Sequence, residues 1–261
     1  MNHIAKGLLA GLMLLFLLSG CSTIERILGR GADETDPDEL MSEGIDNLES
    51  GRYKDAVKAF EQIRDRYPYS KFAVTAELKL ADALYRTEEY AQAFEAYDQF
   101  EKLHPKHKEI PYVIYQKGMC HFDQITTTDR EQLHTQKAKE EFERVIARFP
   151  REDYANMARK NLRKCFIYLA EYEIYVGNYY FKRGYYRAAL ARYTYVIKNY
   201  PDMGQYHEAL DYISKCKERL ALEPAGTEEA KAKKAKSWWP FSSDKEESVL
   251  EPDDDGIGPP T

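Results

Sequence analysis

Four times along this chain an alanine is followed four residues later by an aromatic and eight residues after that by a proline. Ala56, Phe60 and Pro68 set the frame, and Ala93, Tyr97 and Pro105, then Ala138, Phe142 and Pro150, then Ala189, Tyr193 and Pro201 repeat it. A small residue stands upstream of each set: Gly44, Ala81, Gly118 and Gly177. Small residues let two antiparallel helices approach closely, the aromatic fills the groove between them, and the proline ends the second helix. From Gly44 to Ala81 and from Ala81 to Gly118 the period is 37 residues both times. Stacked helical hairpins of this kind bind things and do not usually catalyse.

The pattern is that of tetratricopeptide (TPR) repeats, so the expected fold is all-α: a TPR-type helical-repeat solenoid of about nine to ten helices over residues 37–222. The first repeat predicts helices over 38–50 and 53–67, and the second runs from about 74 to 105. The third is irregular. Its small residue and later alanine, 118 and 138, are 20 apart, where the other repeats have 12. The extra residues predict a loop at Gln124–Arg130. Residues 153–182 contain no proline and only Gly177 as a weak breaker, which predicts one long tyrosine-rich helix or two nearly continuous ones. Helices over about 186–199 and 203–220 complete the array.

The two ends read differently. Residues 1–20 combine Lys6 with an apolar run from Gly7 to Leu18, too short to span a membrane comfortably. The run ends in Leu18-Ser19-Gly20-Cys21, which is similar to a bacterial lipobox, so Cys21 is the expected lipidation site and residues 1–20 a signal peptide; a transmembrane helix is the blander alternative. Acyl chains contribute about 0.8 kcal/mol per buried methylene, enough for a permanent anchor when more than one is attached. Ser22, where an aspartate would favour the inner membrane, points to the outer one. Residues 21–36 then form the lipidated N-terminus and tether. Residues 223–261 have the composition of a disordered tail, although both tryptophans of the chain lie there, in Trp238-Trp239-Pro240-Phe241, beside Lys231, Lys233, Lys234 and Lys236. That segment reads equally well as a membrane foothold, a docking peptide, or a tail packed back on the repeats.

A net charge of −6, spread over helix faces, argues against nucleic acid as a partner. Cys120, Cys165 and Cys216 have no metal-binding or redox spacing and fall in apolar stretches, so they read as small core residues, with one disulfide a minority possibility. No phosphate loop, nucleophile elbow or H-E-x-x-H motif is present. His104 and His107 have a ligand-like spacing, but Pro105 ends the helix between them. No cofactor and no metal are expected.

What remains is the inner face. Counting three before, one after, four after and five after each small residue gives Met41, Ile45, Leu48 and Glu49, then Leu78, Asp82, Tyr85 and Arg86, then Tyr115, Met119, Phe122 and Asp123. Met41, Ile45, Leu48, Leu78, Tyr85, Arg86, Tyr115, Met119 and Phe122 are therefore the candidate peptide groove, suited to an extended segment with a hydrophobic end. The competing reading is that several simply pack helix on helix.

The lipobox, the repeats starting soon after it, the third-repeat insertion and the segment Ala170-Glu171-Tyr172-Glu173-Ile174-Tyr175-Val176-Gly177-Asn178-Tyr179-Tyr180, continuing Phe181-Lys182-Arg183-Gly184-Tyr185-Tyr186-Arg187-Ala188-Ala189, together resemble the BamD family of outer-membrane β-barrel assembly lipoproteins. The resemblance covers residues 18–220. It implies a non-enzymatic subunit of the β-barrel assembly (BAM) complex, anchored through Cys21 at the periplasmic face of the outer membrane. It further implies that the N-terminal repeats receive targeting segments of unfolded outer-membrane barrels and the C-terminal repeats hold the POTRA region of a BamA-like protein, with other Bam lipoproteins as further partners. Arg192 matches a family arginine in that contact, and Arg183 and Arg187 could extend a basic patch. The alternative is a periplasmic TPR adaptor of the Tol–Pal, cell-division or secretin-pilotin type.

Overall fold

The computed structural model describes residues 36–127 and 132–222. Among them are nine α-helices and no strand: α1 (Pro37–Glu49), α2 (Tyr53–Arg66), α3 (Ala73–Arg86), α4 (Tyr90–Leu103), α5 (Ile110–Phe122), α6 (Leu133–Arg148), α7 (Asp153–Lys182), α8 (Tyr186–Asn199) and α9 (Tyr206–Leu222). The leader, Cys21, the tether up to residue 35, residues 128–131 (which take in the end of the expected loop) and the tail from 223 lie outside the described residues. No described helix is long and apolar enough to cross a membrane.

The helices fall into two compact units, dividing after Cys120. In the first, α1 packs on α2, α2 on α3 and α3 on α4. The aromatics of the repeat pattern, Phe60 and Tyr97, are fully buried, and burying each such side chain contributes roughly 1.5–3 kcal/mol. The upstream small residue makes room for the ring. A Cβ on Gly44 would lie 2.4 Å from Phe60, closer than atoms can stand.

The hairpin turns of the first, second and fourth repeats share a single device. Seven residues after the small residue stand Gly51, Glu88 and Gly184, at φ 75°, 64° and 77°. The next residue's N–H reaches back five positions: Arg52 to the Asn47 carbonyl at 2.8 Å, Glu89 to Leu84 at 3.1 Å and Tyr185 to Tyr180 at 3.0 Å. This left-handed cap satisfies carbonyls left open at the end of the first helix and reverses the chain into the second.

In the second unit α6 packs on α7, α7 on α8 and α8 on α9. Its inner cluster contains Ile174, Ala189, Tyr193, Val196 and Cys216. Residues 153–182 form one unbroken helix. Gly177 does not interrupt it; its missing Cβ leaves room for the Tyr193 ring, which would stand 2.7 Å away. The last helix begins at Tyr206, later than the expected 203, because Gly204 at φ 112° donates its N–H to the Asp202 carboxylate at 2.8 Å and holds a turn there. Cys120, Cys165 and Cys216 are buried free thiols. Burial pushes the Cys165 thiol up to about 12, which makes it unreactive at neutral pH.

Candidate functional site

In the first unit the sequence-derived groove residues separate by depth. Met41, Leu78 and Tyr115 are 6%, 8% and 7% exposed. The position three before the small residue thus turns into the packing in each of these repeats. Ile45, Leu48, Tyr85 and Met119 are half-buried, while Arg86 and Glu49 are exposed. Arg86 reaches back to the preceding hairpin: its Nη2 donates to the Tyr53 hydroxyl at 2.6 Å, and its guanidinium lies 5.0 Å from that ring's centroid. Phe122 belongs to the second unit, with its ring 5.8 Å from Phe142.

Asp82 has a different role from an open groove position. One carboxylate oxygen accepts from the hydroxyls of Tyr97 at 2.8 Å and Tyr112 at 2.7 Å, and the other accepts from Lys79 at 2.9 Å. Gln116 donates to the Tyr112 hydroxyl at 3.1 Å. The node therefore ties α3, α4 and α5 together through a charged acceptor, and charged hydrogen bonds are the strong ones. Burial first, then the Asp82 charge, pushes both tyrosine hydroxyls above their ordinary value. A second buried node is Lys117, 1% exposed, bonded to Asp98 and lying 3.3 Å from Glu101. Burial would raise the Asp98 carboxyl, but the hydrogen bonds from Lys102 and Lys117 outweigh it and hold the group below its ordinary value.

In the second unit Tyr193 donates to the Asn178 amide oxygen at 2.7 Å and stacks on Tyr212, centroids 5.0 Å apart. The arginines expected to meet a partner have different settings. Arg192 donates to Glu173 at 3.2 Å, and Glu173 is only 8% exposed. Arg183 lies 4.4 Å over the Tyr179 ring, and Arg187 is exposed. Around them Tyr175, Tyr179 and Tyr195 are 51%, 42% and 46% exposed. Tyr175, Tyr179 and Arg183 follow one another at four-residue spacing along one stripe of α7 and its C-cap.

Two features escaped the sequence reading. The Asp82 node had a legible signal. Where the aromatic is tyrosine, the residue after the small one is polar (Tyr97 with Asp82, Tyr193 with Asn178); where it is phenylalanine, that residue is apolar (Phe60 with Ile45, Phe142 with Met119). The Glu173–Arg192 pair had none, since Glu171 and Glu173 look alike in sequence. His104 is taken up by Glu77 at 2.7 Å, and His107 accepts the Glu109 N–H at 3.2 Å. No cluster of three or more metal-type ligands exists among the described residues.

Helical hairpins and the buried polar nodes that fix their packing define a TPR-type helical-repeat scaffold. A family model described as outer membrane lipoprotein, YfiO, matches residues 33–235, and the chain belongs to that family. Its curated relatives carry the name outer membrane protein assembly factor BamD. The chain is similar to that of Vibrio cholerae, 27% identical over 83% of this chain and 92% of the relative. To that of Neisseria meningitidis serogroup B it is 30% identical, over 82% and 85%. Among solved structures, a thermophilic TPR protein of Thermus thermophilus matches with 18% identity and a TM-score of 0.39, covering 71% of this chain and all (100%) of that one.

Proposed function

We propose that this chain is a non-enzymatic lipoprotein subunit of the β-barrel assembly machinery, held at the periplasmic face of the outer membrane through Cys21. Its second unit binds the POTRA region of a BamA-like protein, and its first unit receives an extended hydrophobic-ended segment of an unfolded barrel. The observation that carries this reading is the exposed surface of α7 and α8, where Tyr175, Tyr179 and Tyr195 are half-exposed and the Tyr179 ring lies under Arg183. Tyrosine and arginine are enriched where proteins meet, and a monomer has little reason to leave them together in water. In the first unit, half-buried Ile45, Leu48, Tyr85 and Met119 with Arg86 at the edge offer apolar contact and one cation.

The test is co-purification from envelopes in mild detergent. Arg183→Glu reverses an exposed charge and is expected to cut recovery of a POTRA-containing barrel at unchanged helical content. Arg192→Glu is a poorer probe, because it sets a second carboxylate against buried Glu173. Pairing Arg192→Gln with Glu173→Gln removes the charge without that clash. Undiminished recovery in both Arg183→Glu and the paired variant counts against this surface. Recovery of Tol–Pal or secretin components instead would overturn the assembly reading.

A further inference from the structure

Charge is divided unevenly along this chain. Residues 36–120 carry 17 acidic and 12 basic side chains, and the described residues from 121 to 222 carry the reverse, 12 acidic and 17 basic. Much of the surface neutralises itself locally, as in Lys58–Asp55, Lys79–Asp82, Lys139–Glu143 and Lys215–Asp211. Two helix faces do not. On α1, Glu39, Glu43, Asp46 and Glu49 are exposed and follow one another at four- and three-residue spacing. They have no cation in ion-pair contact among the described residues, and the helix itself contains no lysine or arginine.

The first half of α7 is the opposite. Arg159, Lys160, Arg163 and Lys164 are exposed there, and no acidic residue stands between Asp153 and Glu171. None of the four has a carboxylate in ion-pair contact among the described residues. Arg159 donates to the Asn156 amide oxygen and the Pro150 carbonyl, and Lys164 lies 5.7 Å from the centroid of the Phe122 ring. Like charges three and four residues apart repel, so each face destabilises its own helix. Glu39 to Asp46 spans about 10 Å along the axis and Arg159 to Lys164 about 8 Å, at 1.5 Å per residue. The two arrays are comparable in length and opposite in sign.

We propose that these faces meet between two copies of this chain, α1 of one copy lying on the first half of α7 of the other. A lipid surface or a polyanion would answer the basic face and leave the acidic one as it is; a second copy neutralises both at once. Contacts of α1 with α1, or of α7 with α7, are repulsive, so charge also selects the pairing. Met157, 43% exposed two residues before Arg159, adds apolar contact. Exposed ion pairs are individually weak. The association is therefore of low affinity, held by several charges acting together and weakened by salt.

The experiment is sedimentation velocity on the chain from Ser22 to Thr261, over a concentration series reaching about 1 mM. It is run at ~20 mM and ~0.5 M salt, between which the screening length falls from about 20 Å to about 4 Å. The expected result is a concentration-dependent dimer or larger species at low salt, with a dissociation constant that rises about tenfold or more at high salt. Two charge-reversed variants locate the contact: Glu43→Lys with Asp46→Lys on α1, and Lys160→Glu with Arg163→Glu on α7. All four side chains are exposed, so circular dichroism should show unchanged helical content. Each variant alone should stay monomeric, because its two faces now carry the same sign. An equimolar mixture of the two should associate again, since each restores the complement of the other. A chain that stays monomeric at low salt, association that survives in either variant alone, or a mixture that fails to associate overturns the proposal.

Discussion

Tyr97 in the first unit and Tyr193 in the second occupy the same place in the repeat, yet they are held differently. Tyr97 shares the Asp82 carboxylate with Tyr112 and Lys79. Tyr193 has the neutral amide of Asn178, which also lines an open pocket. The first arrangement is closed: one charged acceptor takes three donors from three side chains and fixes α3, α4 and α5 in one geometry. The second satisfies a single hydroxyl and leaves its helix face partly in water. A repeat can thus keep its backbone and its ring while one residue decides whether the inner face is closed by a charged node or left partly open.

The sharpest way to break the contrast is to remove each acceptor. Asp82→Ala removes the charged acceptor of two tyrosine hydroxyls, one of them fully buried, and should cost about 3 kcal/mol by the usual worth of charged hydrogen bonds. Asn178→Ala strands one and should cost about 1 kcal/mol. Urea denaturation followed by circular dichroism gives both numbers. Equal losses would show that the charge on Asp82 contributes nothing beyond an amide.

The next effect concerns the space these rings need. Gly44→Ala puts a methyl 2.4 Å from fully buried Phe60, and overpacking of this kind should cost about 2 kcal/mol even after the gain in helix propensity. The second repeat carries alanine at the same register, Ala81, with Tyr97 opposite, so its backbone has already made that adjustment. A neutral Gly44→Ala would mean that the first hairpin can widen as the second has.

The two nodes also differ in alkaline solution. Burial and then Asp82 raise the Tyr97 and Tyr112 hydroxyls above the usual value of about 10, so folding favours their neutral forms. Because the folded value is the higher one, this stability is complete below pH ~10 and is lost as pH rises above it. Tyr193 is raised too, by burial first and then by Cys216, Tyr212 and Glu208, but with no carboxylate hydrogen-bonded to its oxygen. Asp82→Asn should therefore soften the alkaline loss of helix, followed together with tyrosinate absorbance. Asn178→Asp should steepen it.

Much of this was readable from the chain alone. The spacing of small residue, alanine, aromatic and proline placed the helices to within a residue or two at most boundaries, because that spacing is the packing geometry of a hairpin. The start of α9 was missed, since it depends on an aspartate-capped turn at Gly204 rather than on periodicity. The inner-face count does not give depth: Met41, Leu78 and Tyr115 are drawn into the packing, which a register rule cannot distinguish from exposure. Arg192 was legible as a cation but not as the partner of Glu173, because the pairing joins residues 19 apart on different helices.

The smallest effect tests the turn that three of the hairpins share. Gly51, Glu88 and Gly184 stand at the same step with φ between 64° and 77°. Glycine adopts this region freely, whereas a side chain there crowds the following carbonyl and costs roughly 1–2 kcal/mol. Glu88 is exposed. Its N–H donates to the Tyr85 carbonyl at 3.0 Å, and the N–H of Glu89 closes the cap on Leu84; both are backbone bonds that glycine would keep. Glu88→Gly relieves the strain but makes the unfolded chain more disordered, which returns part of the gain. The expected net is a stabilisation of about 0.5–1 kcal/mol, read as a rise in the urea midpoint at unchanged slope. Gly51→Ala and Gly184→Ala should move the midpoint the other way by about 1 kcal/mol each. If Glu88→Gly lowers the midpoint instead, the glutamate side chain stabilises this turn by more than its backbone strain, and the second hairpin is built on a different balance from the first and the last.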